Sequence, residues 1–234
     1  MELDVCFAPD LFEAHSKANQ LAVIIDVVRM STSVNVAFEY GIDHIIPLAK
    51  WEEALPFRDQ GYLISGERNS YQLEGFDLGN SPFDFMKEEL KGAKLAMSTT
   101  NGTYAIEQAS ASSELVIGSY INEKALVDYL LDSKLDILLV CAGWNRRENA
   151  EDSLFAGKLV HDLKKHKTFG MGSDAALLAE AFYRAAPSRY DWVIAHSHRF
   201  TQHLPRLEND IRFCLEPPYE LDQVPRIENK RIIL

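Results

Sequence analysis

Short apolar runs punctuate the first two thirds of the chain, at residues 3–7, 21–27, 44–48, 62–65, 94–98, 115–118 and 135–141. Most are of strand length and lack a clean apolar–polar alternation. That is the pattern of strands covered on both faces of a parallel sheet. Helical patterns fill the intervals at 31–40, 51–60, 81–90, 101–109, 122–132 and 151–165. Gly41 suits the C-terminal cap of the first, and Ser81-Pro82 opens the third with a capping hydroxyl and a first-turn proline. The alternation predicts an α/β fold, a layered, mostly parallel sheet flanked by helices. In the last third, 173–186 and 189–203 read as helices and 211–215 and 231–234 as late strands. Residues 216–229, rich in proline and charge, read as a surface segment. Without an internal repeat or linker, residues 1–234 form one compact unit, or two lobes sharing a core.

Composition narrows the classes. An apolar content of 47% excludes disorder, and a formal net charge of -11 repels nucleic acid and anionic membranes. An anionic ligand would therefore need a locally positive site or a metal. Cys6, Cys141 and Cys214 are too widely spaced for a zinc site or a disulfide framework, and read as reduced thiols. The N-terminus lacks the basic and apolar regions of a signal peptide, and no apolar run approaches the roughly 20 residues of a membrane span. The expectation is a soluble cytoplasmic protein.

Candidate chemistry lies where predicted strands meet helices. In VIIDVVRMSTS (23–33) a strand ends in Asp26, followed by Arg29 and three hydroxyls. Arg29 offers a planar fork to phosphate, and a helix N-terminus adds amide donors. Asp26 could hold a metal, act as a nucleophile or simply cap the helix. A haloacid dehalogenase mechanism needs a second aspartate two positions on, where this chain has Val28. In ISGERNSYQLEGFDLGNSP (64–82), Glu67, Arg68, Asp77, Asn80 and Ser81 are polar groups on a long glycine-containing loop. Oxygen ligands of this kind suit Mg²⁺, although a solvated loop has the same composition.

MSTTNGTYAI (97–106) offers hydroxyls at Ser98, Thr99, Thr100 and Thr103 and backbone donors at Asn101 and Gly102. Without a following lysine it is not a nucleotide P-loop. In LLVCAGWNRRENAEDSLFAG (138–157), Cys141 and Arg147 have the spacing of cysteine-dependent phosphatases. Against that reading, Val140 replaces the usual histidine and Gly143 comes one position early. Glu148, Glu151 and Asp152 would also raise a thiol pKa. Glu151 and Asp152 open a helix, with capping or metal binding as their alternatives. His196 and His198, two apart on a predicted helix, point to different faces and do not share a metal; Arg199 could reach an anion.

Together these stretches resemble the ComB family, the 2-phosphosulfolactate phosphatases. The resemblance rests on IDVVRMSTS (25–33), GER (66–68), GFDLGNSP (75–82), STTNGT (98–103), CAG (141–143) and EDSLFAG (151–157), in matching order from about residue 20 to residue 165. It implies Mg²⁺-dependent hydrolysis of 2-phospho-3-sulfolactate, or of another small phosphorylated acid, on an α/β fold particular to the family. Under it, Asp26, Glu67, Asp77 and Asp152 are the candidate Mg²⁺ ligands, and Asp26, Arg29, Cys141 and Asp152 the catalytic candidates. Asn80, Ser81, Thr99, Thr100, Asn101, Gly102 and Thr103 are expected to bind the substrate, with Arg68 at its sulfonate or carboxylate end. The chain departs from the family pattern at Met30 and in the bulky, basic WNRREN (144–149). A cysteine-dependent phosphatase and a non-catalytic anion-binding protein are the competing readings. The partner is a small anionic phosphorylated substrate, and a homodimer is the expected assembly.

Overall fold

The computed structural model describes residues 1–166 and 169–234. Its strands are β1 (Glu2–Cys6), β2 (Gln20–Ile25), β3 (His44–Pro47), β4 (Leu63–Arg68), β5 (Tyr71–Gln72), β6 (Lys94–Ser98), β7 (Glu114–Gly118), β8 (Asp136–Cys141), β9 (Gly170–Met171), β10 (Arg226–Glu228) and β11 (Arg231–Ile233). The helices are α1 (Phe12–His15), α2 (Met30–Glu39), α3 (Pro82–Phe85), α4 (Gly102–Gln108), α5 (Glu123–Asp132), α6 (Ala150–His166), α7 (Asp174–Ala185), α8 (Arg189–His196) and α9 (His198–Leu215).

The strands form one 11-stranded sheet in the order β5-β4-β6-β3-β11-β10-β7-β2-β8-β1-β9. Two parallel wings, β4-β6-β3 and β7-β2-β8-β1-β9, are joined by the antiparallel β10–β11 hairpin. The hairpin turns at Asn229 and Lys230, both with positive φ, the geometry of a tight two-residue turn. Residues 216–229, expected on the surface, thus supply a central strand. Their proline and charge describe 216–225, and β10 is too short to leave a periodic trace.

Helices cover both faces, which is why β2 is buried at every position and reads as an unbroken apolar run. Along β8, Ile137, Leu139 and Cys141 face the core under α5–α9, and Leu138 and Val140 face the core under α2 and α4. A third cluster, with Ala54, Ile64, Phe76 and Ala96, sits under residues 51–60.

Four expectations change. Trp51–Gln60 is helical but 3-10, with Pro56 inside it and unable to donate an N–H. The 81–90 helix is one turn, Pro82–Phe85, followed by a separate 3-10 turn at Glu88–Leu90. The 189–203 helix breaks at Ser197, whose backbone is extended. Residues 211–215 are the last turn of α9, not a strand. Leu207, Ile211, Cys214 and Leu215 are buried at helical spacing, and a five-residue apolar run cannot separate the two periods. Among the described residues no helix is long and apolar enough to cross a membrane.

Glu180 ties α7 to α6. Its carboxylate meets Lys164 Nζ at 2.5 Å, Arg184 Nη2 at 2.8 Å and His161 Nδ1 at 3.3 Å. Lys164 above all, helped by His161 and Arg184, holds the carboxyl down to about 2. A carboxyl depressed by folding stabilises the native state above its unfolded pKa and ceases to do so as pH falls through the folded value. At pH 7, Glu180→Gln should therefore be less stable than wild type by about 1 kcal/mol, since Lys164 and Arg184 are partly solvated. Urea titrations should show that gap closing as pH falls from 4.5 to about 2. Equal gaps at both ends of the range would contradict this account.

Candidate active site

Asp26, Val28 and Arg29 follow β2. Glu67 lies near the end of β4, with Asn69 and Ser70 beyond it. Thr100 and Asn101 join β6 to α4, Trp144 and Asn145 join β8 to α6, Asn80 precedes α3, and Arg199 stands in the first turn of α9. These residues line one cleft. Strand direction reverses across the β10–β11 hairpin, so in a flat sheet the carboxyl ends of the two wings would point apart. Their meeting in one cleft requires a strong twist across the hairpin. It creates the kind of crevice outside strand carboxyl ends where ligands of α/β sheets bind.

Charge in the cleft is paired but unbalanced. Arg29 Nη1 donates to Asp210 Oδ2 at 2.6 Å and Nη2 to the Ser70 carbonyl at 3.3 Å. Arg199 Nη1 donates to Glu151 Oε1 at 2.6 Å and Nη2 to the Val28 carbonyl at 3.1 Å. Asp26 and Glu67 add two more buried carboxylates. Asp26, Glu67, Glu151 and Asp210 therefore stand against Arg29 and Arg199. Burial pushes the Asp26 carboxyl up to about 6; Arg199 opposes the rise, and Glu67 and Glu151 add to it. The Val28–Arg29 peptide bond at this corner is cis.

Glu67 is held by two loops at once. Its Oε1 accepts from Thr100 N at 2.7 Å and its Oε2 from Ser70 N at 2.8 Å. Gly102 is required where it stands: a Cβ there would lie 2.6 Å from Asp26 Oδ2 and 2.4 Å from Met30 Cε. The Asn101 side-chain oxygen accepts from Asn145 N at 3.2 Å, tying the β6–α4 loop to the β8–α6 loop.

Several expected site residues do other work. Asp152, read as a metal ligand and catalyst, has both oxygens occupied. Oδ1 accepts from Val27 N at 2.8 Å, and Oδ2 from Gly143 N at 3.0 Å and Asn149 Nδ2 at 2.9 Å. It clamps the loops after β2 and β8 and does not line the cleft. Burial raises its pKa, with Glu151 and Asp26 adding to the rise, against the N–H donors of Val27 and Asn149. Asp77 accepts from Ile64 N at 2.9 Å and Arg58 Nη2 at 3.2 Å, outside the cleft. Arg68 braces its own surroundings through the Glu67 carbonyl at 2.6 Å and Ser98 Oγ at 3.1 Å, and is not presented to a ligand.

The Thr99 and Thr103 hydroxyls are turned onto the start of α4. Each accepts from the other's backbone N–H at 3.2 Å, so they cap the helix instead of cradling an anion. Ser81 caps α3 and donates to Asp210 Oδ1 at 2.7 Å. Cys141 is fully buried in the core under α6. Burial, and then Asp152, push its thiol well above the ordinary range, which works against the thiolate that a cysteine phosphatase needs.

Asp210, which holds Arg29, was not among the expected site residues; Glu151, read as a helix cap or a metal ligand, instead holds Arg199. A helical reading of α9 places Asp210 on the stripe of Leu207, Ile211 and Cys214, and a carboxylate on a buried stripe was the signal available.

Among the described residues no three His, Cys, Asp or Glu side chains are arranged to hold a metal ion. Two carboxylates, Asp26 and Glu67, line the cleft with Asn80 Oδ1 and Thr100 Oγ1, buried oxygens that have no hydrogen-bond partner. This all-oxygen set fits Mg²⁺, which commonly takes one or two carboxylates and completes its shell with water and substrate phosphate. A divalent cation would also offset the two-charge deficit. Of the four expected carboxylate ligands, Asp26 and Glu67 line the cleft, each Glu67 oxygen accepting a single N–H and keeping a lone pair, while Asp77 and Asp152 lie outside its wall.

Fold and cleft define an α/β protein with a charged, polar cleft at strand carboxyl ends, shared between two wings of one sheet. The model of the 2-phosphosulpholactate phosphatase family matches residues 6–230, and the chain belongs to that family of phosphoric monoester hydrolases. It is 41% identical over 198 residues to a probable 2-phosphosulfolactate phosphatase of Thermotoga petrophila, covering 82% of this chain and 83% of the relative. A protein of the same description from Caldanaerobacter subterraneus is 32% identical over 216 residues, 88% of this chain and 87% of the relative. One from Clostridium botulinum is 28% identical over 237 residues, 100% and 99% of the two chains.

Proposed function

We propose that this protein hydrolyses 2-phospho-3-sulfolactate, or a closely related small phosphorylated acid, to the free hydroxy acid and phosphate with Mg²⁺ as cofactor. The observation that carries the reading is the cleft itself. It sets two carboxylates and two unpartnered oxygens beside two buried guanidiniums, on a chain whose family and relatives bear that substrate's name. Asp26 and Glu67 would hold the metal, with Asn80 and Thr100 bordering it. Bound there, Mg²⁺ supplies Lewis-acid neutralisation of phosphoryl oxygens.

The chain's own residues do the rest. Asp210 fixes the Arg29 guanidinium, which keeps N–H donors beyond its two protein bonds for phosphoryl oxygens. Glu151 does the same for Arg199. Both cations are held by buried carboxylates, so neither must be reoriented when negative charge develops on the phosphoryl group. The single sheet shared by both wings supports reading residues 1–234 as one unit.

The test is phosphate release from 2-phospho-3-sulfolactate with Mg²⁺, with a chelator, and in Cys141→Ser. Activity abolished by the chelator and restored by Mg²⁺, with Cys141→Ser active, is the expected result. Activity that survives the chelator and disappears in Cys141→Ser would establish the thiol mechanism instead. Binding of phosphorylated hydroxy acids without turnover would make the protein a non-catalytic binder.

A further inference from the structure

The floor of the cleft has room for ≈ 20 Å³, about one water, so a substrate carrying a carboxylate and a sulfonate must extend beyond it. A second cavity of ≈ 520 Å³ shares Trp144, Asn145 and Arg199 with the cleft. Its remaining wall includes Arg147, Glu148, Asn149 and the α8–α9 corner at His196. On a chain of net charge -11, two guanidiniums and the imidazoles of His196 and His198, with one carboxylate, Glu148, on the same wall, make this cavity locally receptive to an anion.

Arg147 is the group best placed to meet one. It is exposed, and among the described residues its side chain forms no hydrogen bond or ion pair. Its backbone, by contrast, is pinned. Trp144 N donates to the Arg147 carbonyl at 2.8 Å, and Arg147 N donates to the Trp144 carbonyl at 3.1 Å. The turn between them holds Asn145 and Arg146 at positive φ, and a Cβ on Gly143 would lie 2.0 Å from the Arg147 carbonyl oxygen. The guanidinium therefore extends from a fixed point with all its donors available. Across the cavity, His196 donates from Nδ1 to the Trp192 carbonyl at 2.8 Å and stacks on Trp192, which fixes its ring.

We infer that this cavity receives the sulfonate of the substrate, with Arg147 as its principal contact and Arg199 shared between the sulfonate and the phosphoryl group. The inference rests on the phosphatase reading above. It moves recognition of the acid end from Arg68, committed to the Glu67 carbonyl and Ser98, to the loop after β8. The tetrahedral sulfonate is the bulkier of the two non-reacting anions, and the larger cavity accommodates it.

The experiment compares kcat/KM for 2-phospho-3-sulfolactate with kcat/KM for 2-phospholactate, which lacks the sulfonate, in wild type, Arg147→Ala and Arg147→Lys. The ratio of the two should fall about tenfold in Arg147→Ala, through KM for the sulfonated ester, and be partly retained in Arg147→Lys. A role in folding alone would lower both esters together and leave the ratio unmoved. With an active wild type, an unmoved ratio in Arg147→Ala overturns the assignment of this cavity and leaves the phosphatase reading intact. A wild type that turns over neither ester overturns the phosphatase reading, and this inference with it.

Discussion

Asp26→Asn should lower kcat/KM for phosphate release by about a thousandfold or more while leaving the fold intact. The substitution is isosteric and removes only charge. Asp26 is one of two carboxylates in the proposed Mg²⁺ donor set, and the cleft offers no third to replace it. Arg199, which now counters the Asp26 charge, would face an amide and keep Glu151 as its partner. Steady-state kinetics with 2-phospho-3-sulfolactate, beside an unchanged circular dichroism spectrum, check the prediction. Activity within tenfold of wild type would remove Asp26 from the reaction.

Asp152→Ala should act on the fold first. Two buried backbone N–H groups, those of Val27 and Gly143, lose their acceptor at once, and Asn149 Nδ2 at the head of α6 keeps only Glu151 Oε1. An unsatisfied buried donor costs about 1–3 kcal/mol. The loss should therefore total about 2–6 kcal/mol, a large part of the 5–15 kcal/mol typical of a domain. The loops after β2 and β8 carry Asp26, Arg29, Trp144 and Asn145, so activity should fall with stability. Urea unfolding should show the midpoint drop, and hydrogen exchange should show new exposure at Val27 and Gly143. A loss under about 1 kcal/mol would mean that the clamp is redundant.

These two aspartates have different legibility. Asp26 was readable as a site residue because it ends an apolar run and precedes an arginine and a helix start. Asp152 shares those credentials, an acid in the first turn of a helix after a strand, yet the structure spends both its oxygens on neighbouring loops. Residue type and spacing do not distinguish the cases, because one of the donors that claim Asp152 is Val27 N, 125 positions away. Thr99 and Thr103 failed for the opposite reason. Their partners are local, and a hydroxyl four residues from another can turn inward as easily as toward a ligand. Cys141 was decidable in principle: it shares strand parity with Ile137 and Leu139, and that face is core.

The sequence by itself determined the layered α/β architecture and the stretches that converge on the cleft. Burial on both faces writes continuous apolar runs into a strand, and β6 lies at the residues its run predicts. Tertiary structure alone decided three things. It put a hairpin from the proline-rich tail between two oppositely directed wings and brought residues from the carboxyl ends of both into one cleft. It brought Asp210 and Glu151 behind the arginines. It also placed Asp26 and Glu67 on the wall of the cleft and Asp77 and Asp152 outside it. Each depends on contacts between residues far apart in the chain, and a pattern of period two or 3.6 carries information only about neighbours.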